Sequence, residues 1–235
     1  MKKERELKFN NRDKVFKPTQ TTQYLCKDIE KKILRRKNLS LADMGCGNGI
    51  IGISLFKKLN NIKNLHFSDI SKEAILACQK NLKINKIKIS NASFLLSNVF
   101  DNFKNEKFDV IINDISGISE DVAKISPWFK NVPCSSGENG TDLTIKFLRN
   151  YKFFLKKRGV VFFPIISLCN EKKIFNFLDK SNINFKILSK NSWPLPREMK
   201  KYKKKLMNLK KKNIISFEEK FNLLIVNTKI VMLKY

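Results

Sequence analysis

Apolar positions along the chain change their period several times, and the changes divide it into elements. Leu25, Ile29, Ile33 and Leu34 recur at helical spacing and predict a helix over residues 24–37, preceded by a polar, basic arm over 1–22 that is expected to pack near the functional site. From Leu39 onward, short apolar runs alternate with amphipathic segments. Strands are predicted at 39–43, 65–68, 93–96, 108–112 and 160–165, with helices at 50–59, 72–82 (capped by Ser71) and 141–155. Strand and helix in succession imply an α/β fold whose parallel sheet is covered on both faces. The last third reads differently: a helix at 171–178, a strand at 185–188, the segment Trp193-Pro194-Leu195-Pro196, a basic stretch over 197–212, and extended segments at 221–226 and 230–233. No internal repeat is present. The expected division is an arm and helix over 1–38 and one domain over 39–235.

Composition narrows the class. With 235 residues, 42% of them hydrophobic and 19 of them Phe, the chain carries far more apolar surface than a disordered tail and has room for a continuous core. No apolar run approaches the roughly 18 to 20 residues of a membrane span, and residues 1–11 are charged where a signal peptide would be apolar, so a cytoplasmic location is expected. The five cysteines stand singly with no C-x-x-C pair, which predicts reduced thiols and no metal site.

Charge adds a second theme. Lys+Arg number 48 against 21 Asp+Glu, a formal net charge of +27. AT-rich coding would account for abundant Lys, Asn, Ile and Phe, but not for the deficit of acids. An excess of this size generates a field that attracts nucleic acid, ribosomal surface or anionic lipid. Within 197–212 the apolar Met199, Tyr202, Leu206 and Leu209 fall at spacings of three, four and three, so a helix there buries one stripe and leaves ammonium groups on the rest.

The sharpest signal is a cluster of glycines. Gly45, Gly47, Gly49 and Gly52 fall in Asp43-Met-Gly-Cys-Gly-Asn-Gly-Ile-Ile-Gly52, where the first predicted strand ends. Glycine there permits tight left-handed turns and lets backbone approach a nucleotide cofactor, while the following helix points its N-terminal amides at the ligand. Asp69 ends the second strand, where a carboxylate can accept both ribose hydroxyls. The spacing Gly47-x-Gly49-x-x-Gly52 also fits a dinucleotide. Asp43, however, suits a cationic ligand and would repel a pyrophosphate, and the lone histidine, His66, lies inside a strand.

Asp43-x-Gly45-x-Gly47-x-Gly49, Asp69, and Phe108-Asp-Val-Ile-Ile-Asn-Asp114 together resemble the class I S-adenosylmethionine-dependent methyltransferases. Within them the chain is most similar to the small-domain branch that includes the glutamine methyltransferases of release factors and ribosomal protein. Val15-Phe-Lys-Pro-Thr19 and Gly137-Glu-Asn-Gly-Thr-Asp142 echo that branch too. The resemblance implies a Rossmann-like, seven-stranded, mostly parallel sheet and S-adenosylmethionine as cofactor. It also implies that Asp43, Gly45, Cys46, Gly47, Asn48 and Gly49 hold the methionine part, Asp69 with Ile70 the ribose, and Asn98 with Val99 the adenine edge.

Two departures bear on substrate. Asn98 stands where the family commonly has Asp, and Asp114-Ile-Ser-Gly117 stands where the branch reads Asn-Pro-Pro-Tyr, so no proline or stacking aromatic remains there. Glutamine methylation therefore does not follow. Methyl transfer depends mainly on in-line positioning, and an Asp can orient an amine or take its proton. Asn113 and Asp114 are the candidates for that role, with Trp128 and Phe129 a possible stacking wall. The expected activity is N-methylation of a protein or RNA substrate of the translation machinery. The alternatives are a small-molecule methyltransferase, an RNA-binding module that retains the pocket without turnover, and a nicotinamide-dependent oxidoreductase, which Asp43 and the lack of a placed histidine oppose.

Overall fold

Every residue of the first strand, β1 (Leu39–Met44), is buried, as expected of a central parallel strand covered on both faces. Its side chains alternate between two cores. Leu39 and Leu41 pack with the first three helices, whereas Ala42 and Met44 pack with the fifth and sixth. The computed structural model describes residues 7–10, 14–88, 90 and 92–235; the parts of the expected arm at 1–6 and 11–13 lie outside them.

In chain order the elements are α1 (Gln20–Ile33), β1, α2 (Ile50–Lys58), β2 (Ile62–Asp69), α3 (Lys72–Ile84), β3 (Ala92–Leu96), β4 (Phe108–Asn113) and α4 (Glu120–Ala123). They continue with α5 (Asp142–Phe154), β5 (Leu155–Ile166), α6 (Glu171–Lys180), β6 (Phe185–Pro194), α7 (Lys203–Lys211), β7 (Glu218–Lys220) and β8 (Leu223–Lys234). The sheet runs β3-β2-β1-β4-β5-β8-β6, with the short β7 paired to β8. β3, β2, β1, β4 and β5 are mutually parallel. β8 is antiparallel to both β5 and β6. The Rossmann-like α/β class is as expected, and β7 makes an eighth strand beside the seven.

Element boundaries differ in instructive places. The first helix begins at Gln20 rather than 24, because the Thr/Gln run is helical and Thr22 Oγ1 accepts from the Thr19 amide at 3.5 Å. The extended segments expected at 221–226 and 230–233 are one strand, β8. Its polar interruption, Asn227-Thr228-Lys229, stays in the ladder because Thr228 is fully buried and satisfied. Its hydroxyl bonds Trp193 Nε1 at 2.9 Å and Thr21 Oγ1 at 3.0 Å, tying β6 and α1 to the strand between them. The basic stretch is a 3-10 turn, Arg197–Tyr202, followed by α7, and Met199, Leu206 and Leu209 are buried in a third core with Trp193 and Leu224. Ser71 caps α3 as expected, accepting from the Ala74 amide at 3.2 Å.

Among the described residues no helix is long and apolar enough to cross a membrane. His66 is a packed strand residue: its Nδ1 lies 2.7 Å from Ser93 Oγ, its ring meets Phe108 edge-on, and burial lowers its pKa. Cys26, Cys46, Cys78, Cys134 and Cys169 are free thiols.

Candidate functional site

Parallel strands β1, β2 and β4 end side by side, and the loops leaving them build one concave surface. The loop after β1 turns back at once: the Gly45 and Cys46 amides both donate to Ser68 O at the end of β2, at 2.8 and 3.0 Å. Gly45, Gly47 and Gly49 adopt φ of 70°, 52° and 80°, left-handed conformations that explain why this strand-to-helix turn needs glycine. Gly52 is required for a different reason. A Cβ there would lie 2.6 Å from the Phe67 ring, so only glycine lets α2 pack against β2 so closely.

Asp69 fixes the loop from the second strand. Its Oδ2 accepts from the Gly47 amide at 3.0 Å and its Oδ1 from the Ser71 amide at 2.9 Å. These bonds favour the carboxylate, although burial raises its pKa overall. Asp43 lies deeper, in the core face beneath the loop. Its Oδ2 accepts from the Gly52 amide at 2.9 Å, while its Oδ1 is buried without a partner. Burial first, with the Asp114 and Asp69 charges adding to it, pushes Asp43 up to about 8.

A cavity of about 250 Å³ opens over these strand ends. Gly45, Cys46, Gly47, Asn48, Asp69, Ile70, Asn98, Val99 and Asp114 all line it. Ile70 is 58% exposed, an apolar surface presented to the cavity rim. Val99 is left-handed at φ 57°, a strained conformation for a β-branched residue; the Ser97 hydroxyl, donating to Val99 O at 2.9 Å, helps to hold it. Three expected site residues do not line the cavity. Asp43 and Gly49 sit behind its wall, where they shape the loop, and Asn113 is buried with its Oδ1 accepting from the Ile115 amide at 3.3 Å. Asn113 is thus a strand-end residue that bonds the next loop.

Asp114 is placed differently from its neighbour. Its amide donates to Met44 O at 3.0 Å, and its Oδ2 accepts from the Thr22 hydroxyl at 3.3 Å. Burial pushes it up to about 7, and the Thr22 bond opposes part of that rise. Thr22 belongs to the first turn of α1 and stands at the end of the polar arm expected to pack near the site; its bond to Asp114 is not legible in the sequence. Residues on either side of that turn, Phe16 and Pro18 among them, form one wall of the cavity. The adjoining wall is aromatic. Trp128, Phe129 and Trp193 line it, with Phe16 and Phe129 centroids 5.0 Å apart and Trp128 and Trp193 at 5.6 Å. Trp128 and Phe129 were legible as a possible wall and Phe16 as part of an arm near the site; Trp193 was not. Beyond Asp114, Ser116 Oγ lies 3.1 Å from Cys134 Sγ and accepts from Ser136 Oγ at 3.1 Å, which ties the 115–117 loop to the segment before α5.

The strand-end cavity fits a nucleoside-bearing cofactor: open-backbone glycines at its floor, a carboxylate tied to that floor, and an apolar rim at Ile70 and Val99. Residues 6–114 match the family model described as methyltransferase small domain. A Methanocaldococcus jannaschii protein named as a protein N5-glutamine methyltransferase is 29% identical over 82% of this chain and 93% of its own length. The release factor glutamine methyltransferase of Flavobacterium psychrophilum is 33% identical, over 46% of this chain and 38% of that enzyme. In three dimensions the chain resembles the Thermus thermophilus 16S rRNA N2 G1207 methyltransferase, solved with S-adenosylmethionine and guanosine. That match has a TM-score of 0.58 at 15% identity and covers 93% of this chain and 43% of that one. Motifs, site geometry and relatives agree: the chain is similar to the class I S-adenosylmethionine-dependent methyltransferases, and just under half of it matches the small-domain model.

Proposed function

We propose that the enzyme methylates a nitrogen atom carried by a protein or RNA of the translation machinery, in the cytoplasm, with Asp114 as the group that receives the acceptor. The observation that carries this reading is the position of Asp114, a cavity-lining carboxylate at the end of β4 between the α1 turn and the aromatic wall. A carboxylate accepts hydrogen bonds through both oxygens and donates none once ionised, so it matches an N–H group directly. The branch's Asn-Pro-Pro-Tyr motif grips an amide; Asp114-Ile115-Ser116-Gly117 offers a negative charge instead.

Bound S-adenosylmethionine supplies an electrophilic methyl group. The chain's own residues do the rest. The Gly45–Asn48 backbone would receive the methionine part. Asp69, its amide bonds already fixing its orientation, would accept from the ribose hydroxyls through remaining lone pairs. Ile70, Asn98 and Val99 would hold the adenine. Asp43 lies behind the loop and acts on the cofactor only indirectly, through its hold on Gly52. Asp114 orients the acceptor nitrogen by accepting its hydrogen and takes the proton released on transfer; its pKa near 7 suits it to hold that proton at neutral pH. Phe16, Trp128, Phe129 and Trp193 exclude water and bear on a planar or cationic group.

The test uses S-adenosylmethionine labelled on its methyl group, with purified ribosomal subunits and release factors as acceptors. Label should enter protein or RNA, sorted by protease and nuclease digestion, and should fall sharply with Asp114→Ala while S-adenosylhomocysteine still binds. Absence of label from both macromolecules, or full activity in the variant, would overturn the reading.

A further inference from the structure

Away from the cavity, the hairpin joining β7 to β8 carries an arrangement that neither cofactor nor acceptor binding uses. Its two-residue connection, Phe221 and Asn222, is left-handed at both positions, with φ of 50° and 60°. Such turns suit the twist of a hairpin, but they ordinarily place Asn or Gly first, because a bulky residue there is strained. Phe221 is 96% exposed, so burial does not offset that strain. The ring stands in solvent at the tip of a hydrogen-bonded hairpin.

Beside it lies a groove of about 280 Å³ whose walls combine Leu195, Pro196 and Leu223 with Arg197 and Lys200. Lys200 donates to Asn222 Oδ1, which holds its ammonium group against the hairpin tip. The hairpin's own acids are neutralised: Glu218 by Lys220 and Glu219 by Lys203, each at 2.6 Å. Arg197, Lys201 and Lys204 are exposed nearby, against the single acid Glu198 in the 3-10 turn. Trp193 lines the cavity, and Leu195, two residues on, lines the groove. Leu195 is fixed there by its amide, which donates to Leu224 O at 2.8 Å.

We infer that this groove and hairpin tip bind single-stranded RNA, with an unpaired base stacked on the Phe221 ring and its flanking phosphates on Arg197 and Lys200. An exposed aromatic face next to paired cations is the chemistry by which proteins hold unstacked nucleotides, because every base has a π face and every linkage a negative charge. An acidic peptide would use the cations and leave the ring idle. The inference does not depend on which nitrogen is methylated in the cavity.

Fluorescence anisotropy with a short fluorescein-labelled single-stranded RNA, and with the same strand annealed to its complement, tests it. Phe221→Ala should weaken single-strand binding by roughly 5- to 100-fold, the range set by loss of one stacked base, and leave duplex binding unchanged. Phe221→Trp should retain it. Arg197→Gln with Lys200→Gln should flatten the slope of log affinity against log salt by about 1.4 units, the effect of two single-strand phosphate contacts. Calorimetry with S-adenosylhomocysteine should give the parent's affinity in all three variants, which separates loss of RNA binding from loss of fold or cofactor site. Parent-like RNA binding by Phe221→Ala would overturn the inference, as would displacement of the RNA by polyglutamate as readily as by unlabelled RNA.

Discussion

Thr22, in the first turn of α1, donates its hydroxyl to Oδ2 of Asp114 at the end of β4, at 3.3 Å and across 92 residues of sequence. The bond joins the arm that covers the cavity to the carboxylate that we assign to the acceptor. It also opposes the rise in pKa that burial imposes on Asp114. Thr22→Val keeps the shape and removes the bond, so the alkaline-rising limb of the pH–rate profile should move to higher pH. The affinity for S-adenosylhomocysteine should not move. An unshifted profile would separate Thr22 from the chemistry.

The pH–rate profile of the parent enzyme follows from the same group. Asp114 accepts a proton only when ionised, and burial pushes it up to about 7. Turnover should therefore rise with pH through about 7 and then level. Initial rates at saturating cofactor measure it, and a flat profile between pH 6 and about 8 would remove Asp114 as the titrating group.

Asp69 offers a test of cofactor binding that separates direct from indirect loss. Asp69→Ala should weaken S-adenosylhomocysteine by about 1.5 to 3 kcal/mol, the scale of hydrogen bonds to a charged group, and also frees the Gly47 and Ser71 amides. Asp69→Asn keeps one acceptor oxygen and should lose less. Gly47→Val, at a left-handed position on the cavity floor, should abolish binding. Calorimetry on the folded variants reads all three, and unchanged affinity throughout would remove the loop from the cofactor site.

Asp43 is a stability device with a cost that depends on pH. Its ordinary value is 3.8, and burial pushes it up to about 8 in the folded chain. The native state therefore holds a proton that the unfolded chain has released, and stability contributed by the neutral form is lost as pH rises from about 4 to about 8. Asp43→Asn still offers the Gly52 amide an oxygen and carries no such dependence. Relative to the parent it should gain stability across that window, on the order of a few kcal/mol at its upper end. Denaturant midpoints at several pH values, without cofactor, check this, and parallel curves would contradict it.

Much of this architecture was legible in the residues because it is local. A glycine-rich turn after an apolar run, with a carboxylate at the end of the next strand, needs only short-range pattern to be read. The aromatic wall was only half legible. Trp128 and Trp193 meet because β6 crosses to pair with β8, and the polar Asn227-Thr228-Lys229 concealed that β8 is one strand. Thr228 reads as polar and therefore exposed; its burial depends on partners in α1 and β6 that sequence order does not disclose. Asn113 and Asp114, adjacent in sequence, could not be told apart until the strand's pleat sent one into the core and the other to the cavity.

The basic stretch shows the same limit in its energetics. Lys203, Lys204 and Lys205 look equivalent in sequence, but Lys203 pairs with Glu219 and Lys205 with Asp121 at 3.3 Å. Changing all three to Gln should therefore flatten the salt dependence of single-stranded RNA binding by about 0.7 unit, since Lys204 is the one of the three with no acid beside it among the described ion pairs. A loss of about 2 units would mean that RNA displaces both acids.

The placement of β8 sets an order of events during synthesis. Among the described strands β6 pairs with β8 alone, and β8 comes after it in the chain. A nascent chain that ends before Leu223 already contains the glycine loop, Asp69 and Asp114, but has nothing against which to pair β6 or fix the Trp193 indole. Since chains fold from the N-terminal end as they emerge, the cofactor cradle can form first and the Trp193 side of the cavity only once residues 223–234 have emerged.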